Sequence, residues 1–166
     1  MFPLLHNPPV KNSFTVSYLG NHDILRDVVD LEHRVFEYSE WNVSRFLKLL
    51  TNVNNGVIGE VCLLDRRYVV GYGLYKVDDY GNEILRIVVD PTYRGMGVGK
   101  QLINRRVNTL TEMKRGKLWC DVMEGNLDAQ LFLKNCGFKC CDIIRECGNI
   151  GEEGQQDLYR MVYNDC

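Results

Sequence analysis

The chain has 166 residues and a mass of 19.2 kDa, and its 20 basic against 22 acidic side chains give a formal net charge of −2. With 45% hydrophobic and 25% charged residues, the composition is that of an ordinary globular protein able to bury a core without disulfides or metals. These figures exclude a disordered tail, a collagen-like rod and a membrane span, and they argue against a general basic field for nucleic acid. We predict a single domain over residues 1–166 with a Pro-rich lead-in over 1–12.

The cysteines and the amino terminus indicate the compartment. Seven cysteines cannot all pair within one chain, and their spacing matches no familiar metal-ligand set. We expect reduced thiols that act as small hydrophobic side chains, and no bound metal. Residues 1–11 lack a basic start and are interrupted by prolines, which is not the pattern of a signal peptide. The sequence therefore predicts a cytoplasmic protein.

Hydrophobic periodicity divides the first half of the chain into strands and helices. In order, they are a strand at Phe14–Leu19, a helix capped by Asp23, a second helix within Trp41–Leu50, and strands at Val57–Leu64, Tyr68–Val77 and Glu83–Val89. Tight turns separate the last three strands, which indicates an antiparallel meander.

The second half alternates helices with strands. It comprises a long helix from Val98 to Met113 stopped by Gly116, a strand at Leu118–Met123, a helix capped by Asn126 or Asp128 and ended by Gly137, and strands at Phe138–Ile144 and Leu158–Val162. The order β-α-α-β-β-β-α-β-α-β-β predicts an α/β fold, a mixed sheet flanked by helices. Its central β-α-β unit should be parallel.

The most informative segment is the turn from Val89 to Lys100, VDPTYRGMGVGK, which leaves a strand and enters a helix. Glycines let backbone N–H groups converge at the positive end of a helix, which makes an anion site suited to a pyrophosphate. A Walker A loop would need a glycine in place of Arg94 and a hydroxyl residue in place of Gln101, so this turn is not a Walker A loop. A Rossmann fingerprint would need its third glycine in place of Lys100, so the turn does not match that fingerprint either. A turn without a ligand is disfavoured, because each helical glycine costs ~1 kcal/mol against alanine.

The pattern V-x-P-x-Y-R-G-x-G-x-G-K resembles the acetyl-CoA signature of the GNAT N-acetyltransferase superfamily, and the element order is similar from about Leu19 onward. Asn126–Phe138 resembles the superfamily's N-x-x-A-x-x-L-Y-x-x-x-G-F helix. Leu31–Phe46 more loosely resembles ribosomal-protein-alanine N-acetyltransferases. The resemblance implies a GNAT-like fold and acetyl-CoA as the co-substrate.

The resemblance also implies how these residues would hold acetyl-CoA. The backbone of one strand would pair with the pantetheine arm, the glycine turn would hold the pyrophosphate, and a later asparagine would contact the cofactor where the two parallel strands separate. In that order the residues are Ile87, Val88 and Val89; Arg94, Gly95, Met96, Gly97, Val98, Gly99 and Lys100; and Asn126.

Acetyl transfer to an amine needs a base, because an alkyl amine with a pKa of ~10.4 is mostly protonated near neutral pH. The resemblance offers two carboxylates, Asp121 and Glu83, and each has a structural alternative: a satisfied edge residue for Asp121 and a solvated hairpin residue for Glu83. The superfamily's tyrosine, which protonates the leaving thiolate, is replaced by Leu133. Three explanations remain: water supplies the proton, another tyrosine such as Tyr159 supplies it, or turnover is slow or absent.

The acceptor stays open among a protein amino terminus, a lysine, a polyamine and a small amine. Acidic residues between Asp23 and Glu40 favour a cationic acceptor, although such residues more often form a solvated face. A non-catalytic acyl-CoA-binding module is the alternative function, and nucleotide binding is disfavoured by the failed fingerprints. We expect no nucleic-acid or membrane partner, and a monomer or homodimer.

Overall fold

Seven strands form one mixed sheet in the order β1-β2-β3-β4-β5-β7-β6. The computed structural model describes residues 13–112, 116–150 and 154–164. The strands are β1 (Phe14–Tyr18), β2 (Val57–Leu64), β3 (Tyr68–Val77), β4 (Gly81–Val89), β5 (Lys117–Met123), β6 (Phe138–Ile150) and β7 (Gly154–Tyr163). The helices are α1 (His22–Val35), α2 (Val43–Thr51), α3 (Val98–Glu112) and α4 (Leu127–Asn135). The predicted element order and mixed α/β class are confirmed.

Several predicted boundaries are corrected. The cap of α1 is Asn21, whose side chain accepts a hydrogen bond from the Asp23 N–H, rather than Asp23 itself. Strands β6 and β7 extend beyond their predicted ends, because they pair with each other as far as Ile150 and Gly154. The lead-in over 1–12 and the predicted helix end over 113–115 lie outside the described residues.

The helices cover both faces of the sheet. α1 and α2 bury an apolar cluster around Phe46 and Tyr72 against β2, β3 and β4. α3 and α4 cover the opposite face, where Ile103 and Leu133 pack among the side chains of β4, β5 and β7. The described members of this first cluster include no residue of β5 or β7, so the cluster reaches only as far as β4.

The cysteines differ from the expectation in one respect. Cys62, Cys120, Cys136 and Cys140 are free thiols, and Cys62 is fully buried as the hydrophobic role predicts. Cys141 is disulfide-bonded, so the expectation that every thiol is reduced is wrong for this residue. Sequence spacing does not reveal which cysteines pair.

Within the described part of the chain, no helix is both long and apolar enough to cross a membrane.

Candidate active site between two diverging strands

Strands β4 and β5 run parallel but pair over only three residues. Gly81 lies opposite Lys117, Asn82 opposite Leu118 and Glu83 opposite Trp119, and the pairing ends there. A Cβ on Gly81 would lie 2.1 Å from the Lys117 carbonyl oxygen, so a glycine is needed for the close approach at this closed end. From Glu83 to Val89, a length of roughly 20 Å, no described strand pairs with this edge of β4.

The turn that enters α3 lies at the open end of this gap. Gly95 and Gly97 adopt φ angles of +76° and +85°, in the left-handed region that favours glycine, and a Cβ on either would meet nothing within 4 Å. The backbone of the turn is therefore accessible from outside. The sequence prediction of a tight glycine turn between a strand and a helix is confirmed.

The start of α3 also differs from the starts of the other helices. Asn21, Asn42 and Asn126 each cap a helix by accepting a hydrogen bond from its first turn. No described residue accepts a hydrogen bond from the N–H groups of Gly97, Val98 or Gly99, so these donors have no partner in the described part of the chain. Such a terminus suits an anion.

The third glycine has a different role from the other two. A Cβ on Gly99 would lie 2.9 Å from the ring of Phe132, so Gly99 lets α3 pack against α4. Only two of the three glycines are therefore explained by an anion site, and the sequence argument that counted three was too strong. Val98 is 1% exposed and can contribute only its backbone to a ligand.

The other residues of the turn extend outward. Met96 is half exposed, and Lys100 is exposed on the first turn of α3. Arg94 folds back toward the end of β4, where its Nε lies 3.4 Å from the Val89 carbonyl oxygen. The turn therefore carries two cationic side chains that can reach an anion.

The strand residues predicted to accompany the pantetheine arm use their side chains in the core. Val88 packs in the α1–α2 cluster, and Ile87 and Val89 pack on the α3 side. Their backbones lie along the part of β4 that β5 leaves unpaired. Asn126 lies just beyond β5 at the start of α4, where its Oδ1 accepts from the Ala129 N–H at 3.2 Å.

Two carboxylates lie on one face near the closed end of the gap. Burial raises the pKa of Glu83, and the nearby carboxylate of Asp121 adds to this, while Lys76 and Arg160 act in the opposite direction. Lys76 is the residue directly opposite Glu83 on β3. No described residue donates a hydrogen bond to the Glu83 side chain, so its oxygens are free to accept a proton.

Asp121 is held by its neighbour on β7. Both of its carboxylate oxygens accept hydrogen bonds from Arg160, at 2.9 Å and 2.8 Å. The same guanidinium lies 4.5 Å from the centre of the Trp119 ring. A bidentate pair stacked on an aromatic ring fixes the Asp121 side chain and occupies a lone pair on each of its two oxygens.

Two residues bear on how the leaving thiolate is protonated: Leu133, which replaces the superfamily's tyrosine, and Tyr159, which could act as a substitute donor. Leu133 is 3% exposed and packs in the core between α4 and the sheet. Tyr159 packs on the same side, and its hydroxyl lies 3.5 Å from Oε1 of Glu124. Burial and this carboxylate raise the pKa of Tyr159, so its hydroxyl remains protonated.

Cys120 is not suited to act as a nucleophile. Its side chain packs on the α3–α4 face, away from the carboxylates, and burial with the charges of Asp121 and Glu83 raises the pKa of the thiol to about 12. A covalent acetyl-cysteine route through Cys120 is therefore unfavourable, because the thiolate is the reactive form.

A β-bulge shapes the face above the gap. Leu74 pairs with Arg86 and Tyr75 with Ile84, so Leu85 is the extra residue on β4. The consecutive side chains Leu85 and Arg86 both approach the α1–α2 side: Leu85 lines a groove beside α2, and Arg86 binds Glu32 on α1. Sequence reasoning missed this arrangement, because a bulge leaves no pattern in the strand's hydrophobic run.

Glu32 is a fully buried carboxylate below this face. Burial alone would raise its pKa, but hydrogen bonds from Arg86, Ser39 and Tyr72 outweigh that effect and hold the pKa below its usual value. The ring of Phe36 lies 4.3 Å below the Arg86 guanidinium. Glu32 therefore anchors α1 to β4. The sequence had suggested that the acids between Asp23 and Glu40 form a solvated face, and Glu32 does not belong to such a face.

Within residues 13–112, 116–150 and 154–164, no three His, Cys, Asp or Glu side chains lie close enough together to hold a metal ion.

The family model of the acetyltransferase (GNAT) family matches residues 24–138, well over half of the chain. The chain belongs to the GNAT family. The matched region contains both diverging strands, the glycine turn and α4, so the resemblance drawn from the sequence motifs is confirmed.

The chain is also similar in sequence to an individual curated protein. A curated [ribosomal protein bS18]-alanine N-acetyltransferase of Haemophilus influenzae is 28% identical over 81 residues, which cover 49% of this chain and 55% of the relative. The chain thus matches about half the length of that relative.

Solved structures agree over nearly the whole chain. The ribosomal-protein-S18-alanine N-acetyltransferase of Escherichia coli has a TM-score of 0.75 at 20% identity and covers 91% of this chain and 93% of its own. A mutant spermidine N-acetyltransferase from Vibrio cholerae has a TM-score of 0.73 at 21% identity, covering 90% of this chain and 92% of its own. These likenesses establish the GNAT-like fold.

Proposed function

We propose that this protein transfers the acetyl group of acetyl-CoA to a primary amine by direct attack. The observation that carries the proposal is the gap between β4 and β5, closed at Glu83 and open at the uncapped glycine turn. An acyl-CoA has the matching chemistry: a pyrophosphate at one end, an extended arm with amide groups, and a thioester at the other end.

The residues present fit this co-substrate. The free N–H groups of Gly97, Val98 and Gly99 would bind the pyrophosphate, with Gly95 and Met96 shaping the turn and Arg94 and Lys100 adding positive charge. The unpaired edge of β4 at Ile87, Val88 and Val89 would hydrogen-bond the amides of the arm as an added strand does. Asn126, at the end of β5, borders the same opening.

Glu83 is the base that the geometry favours over Asp121. Its pKa is raised, its oxygens accept no hydrogen bond from a described residue, and it lies where the two strands separate. Acting through a water, Glu83 would take the proton from the attacking amine. The amine nitrogen bonds to the thioester carbon, the C–S bond breaks, and the CoA thiolate receives a proton from water. Asp121 would instead position Arg160 and Trp119 beside the acceptor.

A second candidate function follows from Leu133. A buried leucine at the position of the superfamily's tyrosine removes the usual proton donor, which favours a non-catalytic acyl-CoA-binding module. A thiolate with a pKa near 8.5 is, however, stable enough in water to leave without a protein acid. The catalytic proposal is therefore the stronger of the two.

The experiment is a thiol-release assay with acetyl-CoA and a panel of amines: peptides with a free amino terminus, a lysine side chain, spermidine and small amines. We expect CoA release that depends on one class of acceptor. Mass spectrometry should show that this acceptor becomes about 42 Da heavier, the mass that one acetyl group adds. Binding of acetyl-CoA without release for any amine would favour the non-catalytic module, and no binding would contradict both candidates.

A further inference from the structure

The groove beside α2 is the feature that the proposed reaction leaves unassigned. It has a volume of about 690 Å³ and lies between α2 and the bulge of β4. Trp41 and Leu85 form its apolar part, and Arg45 and Lys48 are its charged lining residues. None of its lining residues in the described part of the chain is acidic, so this lining carries two positive charges.

The groove is adjacent to the reacting end of the gap. Leu85, which lines it, is two residues from Glu83 along β4, a separation of roughly 6–7 Å in an extended strand. An acceptor with its amine at Glu83 would therefore extend its next groups into the groove. This position distinguishes the groove from the glycine turn, which lies at the far end of β4.

The cationic side chains are available to a ligand. The Arg45 guanidinium stacks 4.7 Å from the centre of the Trp41 ring, which orients its N–H edge without using it. Its ion pair with Glu40 is 3.8 Å long, and Glu40 is 89% exposed, so this contact contributes little and can be exchanged. Lys48 is exposed one helical turn further along α2.

Two further arginines on this face already have carboxylate partners. Arg86 is paired with Glu32, and Arg160 with Asp121. Glu83 forms no ion pair with a described residue, and it lies opposite Lys76. Among the residues that line the groove, the two charged side chains, Arg45 and Lys48, are both positive, although the whole chain has a net charge of −2 and Glu40 lies at the edge of the groove beside Arg45.

We propose that the acceptor is a polypeptide amino terminus followed by acidic side chains, which lie against Arg45 and Lys48 in the groove. This inference rests on the proposed acetyl transfer and names its substrate class. Charge complementarity carries it: a polyamine would place its second cation against Arg45 and Lys48, whereas a carboxylate would form bidentate and charge-assisted hydrogen bonds there. An apolar wall with polar ends suits a short extended peptide.

The test uses three peptides that share an amino-terminal alanine, followed by two acidic, two neutral or two basic residues, with spermidine as a fourth acceptor. We expect kcat/KM to fall from the acidic to the basic peptide by at least about tenfold at low salt, and the difference to shrink at high salt. Spermidine should be acetylated no faster than the basic peptide.

Matched variants assign the preference to the groove. Arg45→Gln/Lys48→Gln should reduce the preference to less than about threefold, because both attractive charges are gone. Arg26→Gln/Lys139→Gln removes the same charge from two exposed positions outside the groove and should leave the preference unchanged.

Outcomes separate this inference from the proposed function. A faster basic peptide or spermidine, or a preference that survives Arg45→Gln/Lys48→Gln, overturns the inference while acetyl transfer stands. If no amine is acetylated, the proposed function fails. In that case, the affinities of the same peptides for the acetyl-CoA-saturated protein, measured by fluorescence anisotropy, test the groove assignment. Tighter binding of the acidic peptide that depends on Arg45 and Lys48 supports the assignment, and equal affinity for all peptides overturns it.

Discussion

Strands β4 and β5 each present one carboxylate to the same face of the sheet, and the two carboxylates have opposite surroundings. Asp121 accepts two hydrogen bonds from Arg160, which is itself stacked on Trp119. Glu83 accepts none from a described residue and has a raised pKa. A salt bridge thus holds one acid in place while its neighbour keeps free oxygens, which we propose Glu83 uses for proton transfer.

The largest effect should come from Glu83→Gln. Loss of a general base lowers the rate of the catalysed step by roughly 10²- to 10⁴-fold, and kcat should carry this loss because the base acts during attack. Steady-state kinetics at neutral pH with one peptide acceptor measure it. Asp79→Asn, at an exposed turn position nearby, is the control, and a Glu83→Gln enzyme with normal kcat would remove Glu83 from the mechanism.

The pH profile should separate the two carboxylates next. Glu83 must be ionised to accept a proton, and burial raises its pKa above the ordinary value of a glutamate, so kcat falls as the pH falls through that raised pKa. This acidic limb should disappear in Glu83→Gln and persist in Asp121→Asn. A limb that is unchanged in Glu83→Gln would have to belong to another group.

Asp121→Asn should have a smaller effect on the rate. We expect kcat to fall by less than about tenfold and stability by up to about 1 kcal/mol, because Arg160 is partly exposed and an asparagine oxygen still accepts one hydrogen bond. The acidic limb should also move to lower pH, since the Asp121 charge that raises the Glu83 pKa is gone. Thermal unfolding and a pH series measure both, and a rate loss as large as that of Glu83→Gln would reverse the two roles.

Tyr159→Phe should have the smallest effect, under about threefold on kcat, because water can protonate a thiolate whose pKa is near 8.5. The Tyr159 hydroxyl is directed to Glu124 and remains protonated. The rate with acetyl-CoA and the preferred peptide is the readout. A loss of about a hundredfold or more would instead make Tyr159 the proton donor that Leu133 cannot be.

Local patterns predicted much of the fold. The limits of β2 and β3 agree to the residue, since alternating hydrophobic runs between turn residues specify strands in a meander. The parallel pairing of β4 with β5 also follows from the helix between them. The placement of β7 between β5 and β6 had no local signal, because it depends on pairing between segments distant in the chain.

The candidate site likewise has features that local sequence predicts and features that depend on distant contacts. The glycine turn was recognisable because positive φ angles and an uncapped helix start leave a signature in sequence. The packing role of Gly99 was not, because Phe132 is more than thirty residues away. The choice between Glu83 and Asp121 likewise depended on Arg160, whose contact with Asp121 spans 39 residues.

The central claim is that the turn before α3 holds the co-substrate's pyrophosphate, and CoA affinity measured by calorimetry tests it most directly. Gly97→Ala puts a Cβ into the open concave turn at a positive φ, whereas Gly20→Ala adds one to open space at an unstrained exposed position. The account predicts CoA binding at least about tenfold weaker for Gly97→Ala and unchanged for Gly20→Ala, with both proteins folded by circular dichroism. Equal affinity of the Gly97→Ala and Gly20→Ala proteins for CoA would contradict it.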